Sequence, residues 1–152
     1  MIEIRKSPTA DTRTCDFSGV SKETLLASSK QHIEDVKIVS YFLAAELVKN
    51  ARIHDADKIE DIDTFHQDFL TGFETHEWWD KHKNNQKHHL IEECVGFNDV
   101  NLLDILENII DCVVAGLARS GSLYPINVKS EILELAVQNT VKMLVKNIKV
   151  VE

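Results

Sequence analysis

The stretch Val100–Arg119, VNLLDILENIIDCVVAGLAR, decides the fold. From Leu102 to Leu117 apolar side chains recur on nearly every side of a helix, the pattern of a helix buried centrally in a helical protein. Three acids interrupt it. Asp104, Glu107 and Asp111 stand at i, i+3 and i+7, on one narrow face. No Lys or Arg precedes Arg119 in this helix, and an uncompensated charge in an apolar surround costs several kcal/mol. The acids therefore face solvent, or are protonated, or meet cations from elsewhere in the chain. The apolar surround leaves little room for a solvent face, which favours cations, with histidines completing a metal site. The expectation is that the three acids point inward, near His32 and His54.

Working outward, the chain reads as all-α. Ser21 is expected to cap the first helix, with Glu23 in its first turn. From there to about Asn50, Leu25, His32, Val36, Val39, Leu43 and Leu47 recur at helical spacing, placing His32 on the apolar stripe. A second helix is expected from His54–Asp55 to Leu70, and a short third over Glu74–Lys83 anchored by Trp78 and Trp79. Residues 84–98 suggest a break at NNQ and a short helix over HHLIEECV. Asn98 or Asp99 is expected to cap the 100–119 helix, which Gly121 stops. A last helix is expected over Lys129–Lys149, with Ile148 ending its stripe. Strand signals are nearly absent, apart from a short strand at Ile2–Arg5. The expected organisation is an irregular arm, 1–20, and one compact helical domain, 21–152, of five to six helices.

The chain of 152 residues, 43% hydrophobic and 28% charged, has the composition of a globular domain. No apolar run approaches the roughly 20 residues of a bilayer span. The opening MIEIRKSPTADTRT lacks a secretory apolar stretch, so a cytoplasmic location and no membrane partner are expected. Cys15, Cys94 and Cys112 form neither a disulfide framework nor a zinc knuckle, and are expected reduced. A net charge of −8 without a basic stripe makes nucleic-acid polymers poor partners. A small anionic substrate stays compatible if a metal supplies positive charge. A homodimer is left open.

Of seven histidines, six fall between residues 54 and 89: His54, His66, His76, His82, His88 and His89. His54–Asp55 opens HDADK, where nitrogen and oxygen donors can hold one ion together. His32 lies upstream and Asp111 downstream. That order, histidine, then HD, then a late aspartate, resembles the HD-domain superfamily of metal-dependent phosphohydrolases, and HDADK resembles its HDxxK form. A second resemblance, carried by SPTADTRT, HDADK, the THEWWDKH…HHL run and DVNLLDILENIIDCVVAGLARSG, is to an uncharacterised family of small phage and bacterial proteins. It bears on fold rather than substrate; a phage origin would place the protein in host cytoplasm.

The HD resemblance implies an HD-like helical bundle. It implies His32, His54, Asp55 and Asp111 as ligands, and His82, His88 and His89 as holders of a second metal or of substrate phosphate. Mixed imidazole and carboxylate donors suit manganese, iron, cobalt, nickel or zinc, one ion or two. Asp55 would also position the attacking water. Glu107, one turn before Asp111, could orient a ligand or take a proton. Lys58 could hold a phosphate oxygen, and Arg13 could close over the anion. His66 and His76 read as structural.

The leading expectation is therefore a metal-dependent phosphohydrolase, a phosphomonoesterase or phosphodiesterase, acting on a nucleotide or related small ester. One alternative is a helical nucleoside-triphosphate pyrophosphohydrolase built on Asp104, Glu107, Asp111, Glu92 and Glu93 with magnesium. The other is a non-catalytic, metal-containing phage or host interaction protein.

Overall fold

The computed structural model describes residues 1–6, 19–94 and 96–151, and Arg13 and Cys15 lie outside them. The described chain is mostly helical: α1 (Lys22–Ile53), α2 (Asp57–Glu60), α3 (Ile62–Leu70), α4 (Glu77–Asn85), α5 (Leu102–Ser120) and α6 (Ser130–Asn147). Single 3-10 turns occupy Lys87–His89 and Phe97–Asp99, and short strands β1 (Ile2–Arg5) and β2 (Ile148–Val151) lie near the two ends of the chain. Among the described residues no helix is long and apolar enough to cross a membrane. The chain divides into two compact units, Met1–Ala45 with Lys142–Glu152, and Glu46–Val141.

In the first unit β1 and β2 pair in parallel, Ile2 opposite Ile148 and Arg5 opposite Val151. This corrects the expectation of a helix running through Ile148. The 3.6-residue stripe reaches Ile148, but the β-branched run Ile148, Val150, Val151 leaves the helix once β1 offers a backbone ladder. Gln31 reinforces the arm by donating to the Arg5 carbonyl at 2.6 Å. The α1 start is as expected, with the Ser21 hydroxyl accepting from the Thr24 amide at 3.2 Å.

In the second unit Val100, Ile105, Ile132 and Ala136 form the core, with Leu90, Phe97, Ile109 and Val128 packed against it. The α5 start is a capping box: Asn101 accepts from the Leu103 amide, and Asp104 accepts from the Asn101 amide, each at 2.8 Å. The cap is thus Asn101, not Asn98 or Asp99. Thr140 of α6 accepts the Leu102 amide at 2.9 Å, tying this end of α5 to α6. Asp68 of α3 holds the start of α4, accepting from the Trp78 and Trp79 amides at 3.1 and 3.0 Å. Trp78 is thereby set inside the unit, 2% exposed, as its anchoring role required.

α5 ends at Gly121, whose φ of 71° suits a residue without Cβ. The turn folds back over Gly116, where an added Cβ would lie 2.5 Å from the Ser122 carbonyl oxygen and 2.7 Å from the Tyr124 nitrogen. Both obstacles are backbone and cannot rotate away. Gly116→Ala is expected to cost about 1–3 kcal/mol of stability, read as a lower urea midpoint; an unchanged midpoint would show that the 122–124 turn yields freely.

Candidate metal centre

α1 ends at Ile53, and HDADK forms the turn into α2. The Ala56 amide donates to the Ile53 carbonyl at 3.2 Å and the Lys58 amide to the Asp55 carbonyl at 3.0 Å. Asp55 has φ 53°, a left-handed conformation that Asp tolerates better than most residues. A second helix beginning at His54 was expected; the chain instead turns here, and that turn places consecutive side chains in one site. His82 arrives from α4, His88 and His89 from the Lys87–His89 turn, and Glu107 and Asp111 from successive turns of α5.

Two groups of donors result. His54, His88 and Asp111 form one, Asp55, His82 and His89 the other, and within each the ligand atoms lie within 4.8 Å of one another. Each is suited to holding one divalent ion. The Asp55 carboxylate faces both: Oδ2 is 3.6 Å from His54 Nε2, while Oδ1 is 3.5 Å from His82 Nε2 and 3.7 Å from His88 Nε2. Asp111 Oδ1 stands 3.8 Å from His54 Nε2.

Carboxylates on the far side of the rings set which nitrogen points inward. Glu107 Oε1 lies 2.8 Å from His54 Nδ1 and 3.4 Å from His88 Nδ1. Asp57 lies 2.9 Å from His82 Nδ1. With Nδ1–H donating to these acids, as metal-ligating imidazoles are commonly held, the Nε2 lone pairs of His54 and His88 turn towards Asp55 and Asp111. That of His82 faces Asp55 and accepts from His89 Nε2 at 2.8 Å. Two buried atoms, Asp55 Oδ1 and His88 Nε2, have no hydrogen-bond partner. Buried polar atoms are nearly always satisfied, so the donor set fits a cation.

The electrostatics agree. Burial pushes the Asp55 carboxyl up, but the hydrogen bond and charge of Lys58, with His54 and His82, outweigh it and hold Asp55 below its ordinary value. Burial likewise raises Glu107, yet its bonds to His88 and His54 leave it lowered. His82 is lowered by burial, against the opposing pull of Asp57 and Asp55. His89 falls to about 3 through burial and the neighbouring His88 and His82. Neutral His82 and His89 beside an ionised Asp55 are the protonation states that ligation requires.

A pH dependence follows for protein held in chelator. The unfolded chain takes up a proton on His89 below about pH 6.5, whereas the folded form resists it down to about 3. The stability His89 contributes is therefore complete above that range and erodes as pH falls through it. The melting temperature should drop from pH 7.5 to 5, and His89→Gln should flatten the slope; an unaltered slope in the variant would remove the attribution.

Among the expected residues, the structure brings together His54, Asp55, Lys58, His82, His88, His89, Glu107 and Asp111. Lys58 is hydrogen-bonded to Asp55. His32 does not face a core as its stripe suggested: it is exposed on α1, in the other unit, and belongs to neither group. Asp104 is buried as foreseen, 5% exposed, but its carboxylate caps α5, and burial raises its pKa. Glu92 is exposed and paired with Lys129 at 2.5 Å, so Glu92 and Asp104 both lie outside the two groups. His66 and His76 are exposed. Asp57 was not singled out from sequence; an acid inside HDADK, two positions after Asp55, was the available signal. No family model, curated protein or solved structure matches the chain.

Proposed function

We propose that the protein is a metal-dependent hydrolase of small phosphate esters, of the kind that HDADK and the late Asp111 resemble. The observation that carries the reading is the Asp55 carboxylate, a donor of one group, facing His54 and His88 of the other, with its own Oδ1 and His88 Nε2 buried and partnerless. A divalent ion in each group would supply Lewis-acid polarisation of a phosphoryl oxygen and activation of water. The chain's residues do the rest. His54, His88 and Asp111 hold one position, and His82 and His89 the other, with Asp55 reaching both. Glu107 and Asp57 keep the rings oriented. Lys58, one turn from Asp55, is the cation placed to neutralise charge on a phosphate oxygen. In the reaction the phosphorus–oxygen bond to the alcohol breaks, water oxygen bonds to phosphorus, and a proton passes to the departing alcohol.

Histidines in both groups favour manganese, iron, cobalt, nickel or zinc over magnesium. The oxygen-only pyrophosphohydrolase reading ranks lower because Asp104 and Glu92 are engaged elsewhere. The test is metal content of protein purified without chelator, then turnover of p-nitrophenyl phosphate, its bis ester and a nucleotide panel with each metal. Bound metal together with release of phosphate or nitrophenol supports the proposal. Metal without turnover on any ester would leave a non-catalytic metal-binding protein in its place.

A further inference from the structure

We propose that the centre accepts phosphate esters whose organic group is aliphatic, an inference that rests on the hydrolase reading above and narrows its substrate class. A cleft of about 430 Å³ opens beside His54 and Asp111. Its walls are Leu47, Val48 and Ala51 from the end of α1, with Ile110 and Val114 from α5. Its polar end is His54, Glu107 and Asp111. Those three are occupied with one another, since Glu107 anchors His54 and Asp111 faces it. Among the described residues no amide, hydroxyl, lysine or arginine side chain lines the cleft, and no aromatic ring beyond the His54 imidazole does.

This distribution of charge and apolar surface selects by elimination. The acidic end attracts cations, and cations there attract phosphate, so the anionic end of a ligand is drawn to that side. Whatever hangs from the phosphate then lies against aliphatic side chains. Val48, Ile110 and Val114 are 51%, 46% and 60% exposed, leaving apolar surface for a chain to cover. A nucleobase or sugar in this cleft would give up water without gaining a hydrogen bond or a stacking ring, which is unfavourable. An alkyl group gives up nothing polar and gains by burial. The contrasting cavity, about 390 Å³, adjoins His89 and is lined by Asn108, Asn127 and Lys129 among others. A nucleoside would find partners there, so the two ligand classes are separable by experiment.

The experiment titrates the full chain, loaded with Mn²⁺, with methyl-, butyl- and octylphosphonate, whose phosphorus–carbon bond resists hydrolysis, and with a phosphonate analogue of adenosine monophosphate. Affinity is expected to rise roughly twofold or more per methylene for a half-covered chain, until the cleft is filled. Val114→Asp should flatten the series. Val114→Thr, a gentler change of similar shape, should flatten it in part and guards against misfolding of the first variant. Metal content measured alongside separates damage to the cleft from damage to the centre. A series independent of chain length overturns the inference. So does tighter binding of the adenosine analogue than of octylphosphonate, which would place the ligand in the polar cavity. Sedimentation showing a dimer that Val114→Asp dissociates, without any chain-length series, overturns it in favour of a second copy seated on the cleft. If the series appears but no alkyl phosphate is hydrolysed, the cleft assignment stands and the hydrolase reading fails. If no phosphonate binds, both fall.

Discussion

Asp55→Ala protein is expected to lose most of the metal the parent takes up and, on the proposed function, at least about a hundredfold in ester turnover. The carboxylate is a donor of the Asp55, His82 and His89 group and also stands 3.6 Å from His54 and 3.7 Å from His88 of the other, so its removal strips a donor from one group and disturbs the second. On the proposed function it also takes away the group that orients the nucleophile. Alanine is poorly suited to the left-handed backbone at this position. Asp55→Asn, which keeps the shape and tolerates that conformation, is therefore the companion variant: it should fold like the parent yet still bind metal weakly. His66→Ala, exposed on α3, serves as the control and should match the parent. Equal turnover by parent and Asp55→Ala at matched metal loading would refute the site.

The second large effect is expected at Glu107, which need not touch metal at all. One of its oxygens accepts from two imidazoles, His54 and His88. Glu107→Ala frees both rings to rotate and to change tautomer. Metal affinity should fall about 10–100-fold, the usual range when the carboxylate behind a ligating histidine is lost. Glu107→Gln keeps one acceptor oxygen and should recover part of the loss. Absorption of bound Co²⁺, titrated in each variant, measures the effect. Weakening confined to the Asp55, His82 and His89 group would contradict the geometry, because Glu107 anchors neither of those histidines.

The helical character and much of the candidate donor cluster were legible in the sequence, for identifiable reasons. The charged residues Glu107 and Asp111 stood out because α5 is otherwise so apolar that acids there demand cations. HDADK stood out through order, because its His54–Asp55 pair follows His32 and precedes the late Asp111. What misled was periodicity taken as burial. The α1 stripe continues through His32, yet a repeat of 3.6 residues identifies a face without saying what covers it, and His32 is exposed. The same stripe logic placed Asp104 with Glu107, although a carboxylate three residues past Asn101 completes a capping box. β2 was hidden because four residues at the end of a helical pattern carry too little signal, and their partner strand lies almost the full chain length away. Asp57 was missed because its role depends on His82, 25 residues later, a relation only the fold creates.

The aromatic surroundings of His82 give the centre an optical voice. The Trp78 indole lies stacked on the His82 ring, centroids 4.3 Å apart and planes inclined by 19°, and Trp79 is 5.6 Å away. An excited indole at that range senses a change in the imidazole's charge and is quenched by a nearby paramagnetic ion. Intrinsic fluorescence should therefore dim as Mn²⁺ or Co²⁺ fills the Asp55, His82 and His89 group, and dim much less with Zn²⁺. The other group has no tryptophan against it among the described ring contacts. Emission can thus report ions arriving beside the tryptophans while calorimetry follows total binding, without a label.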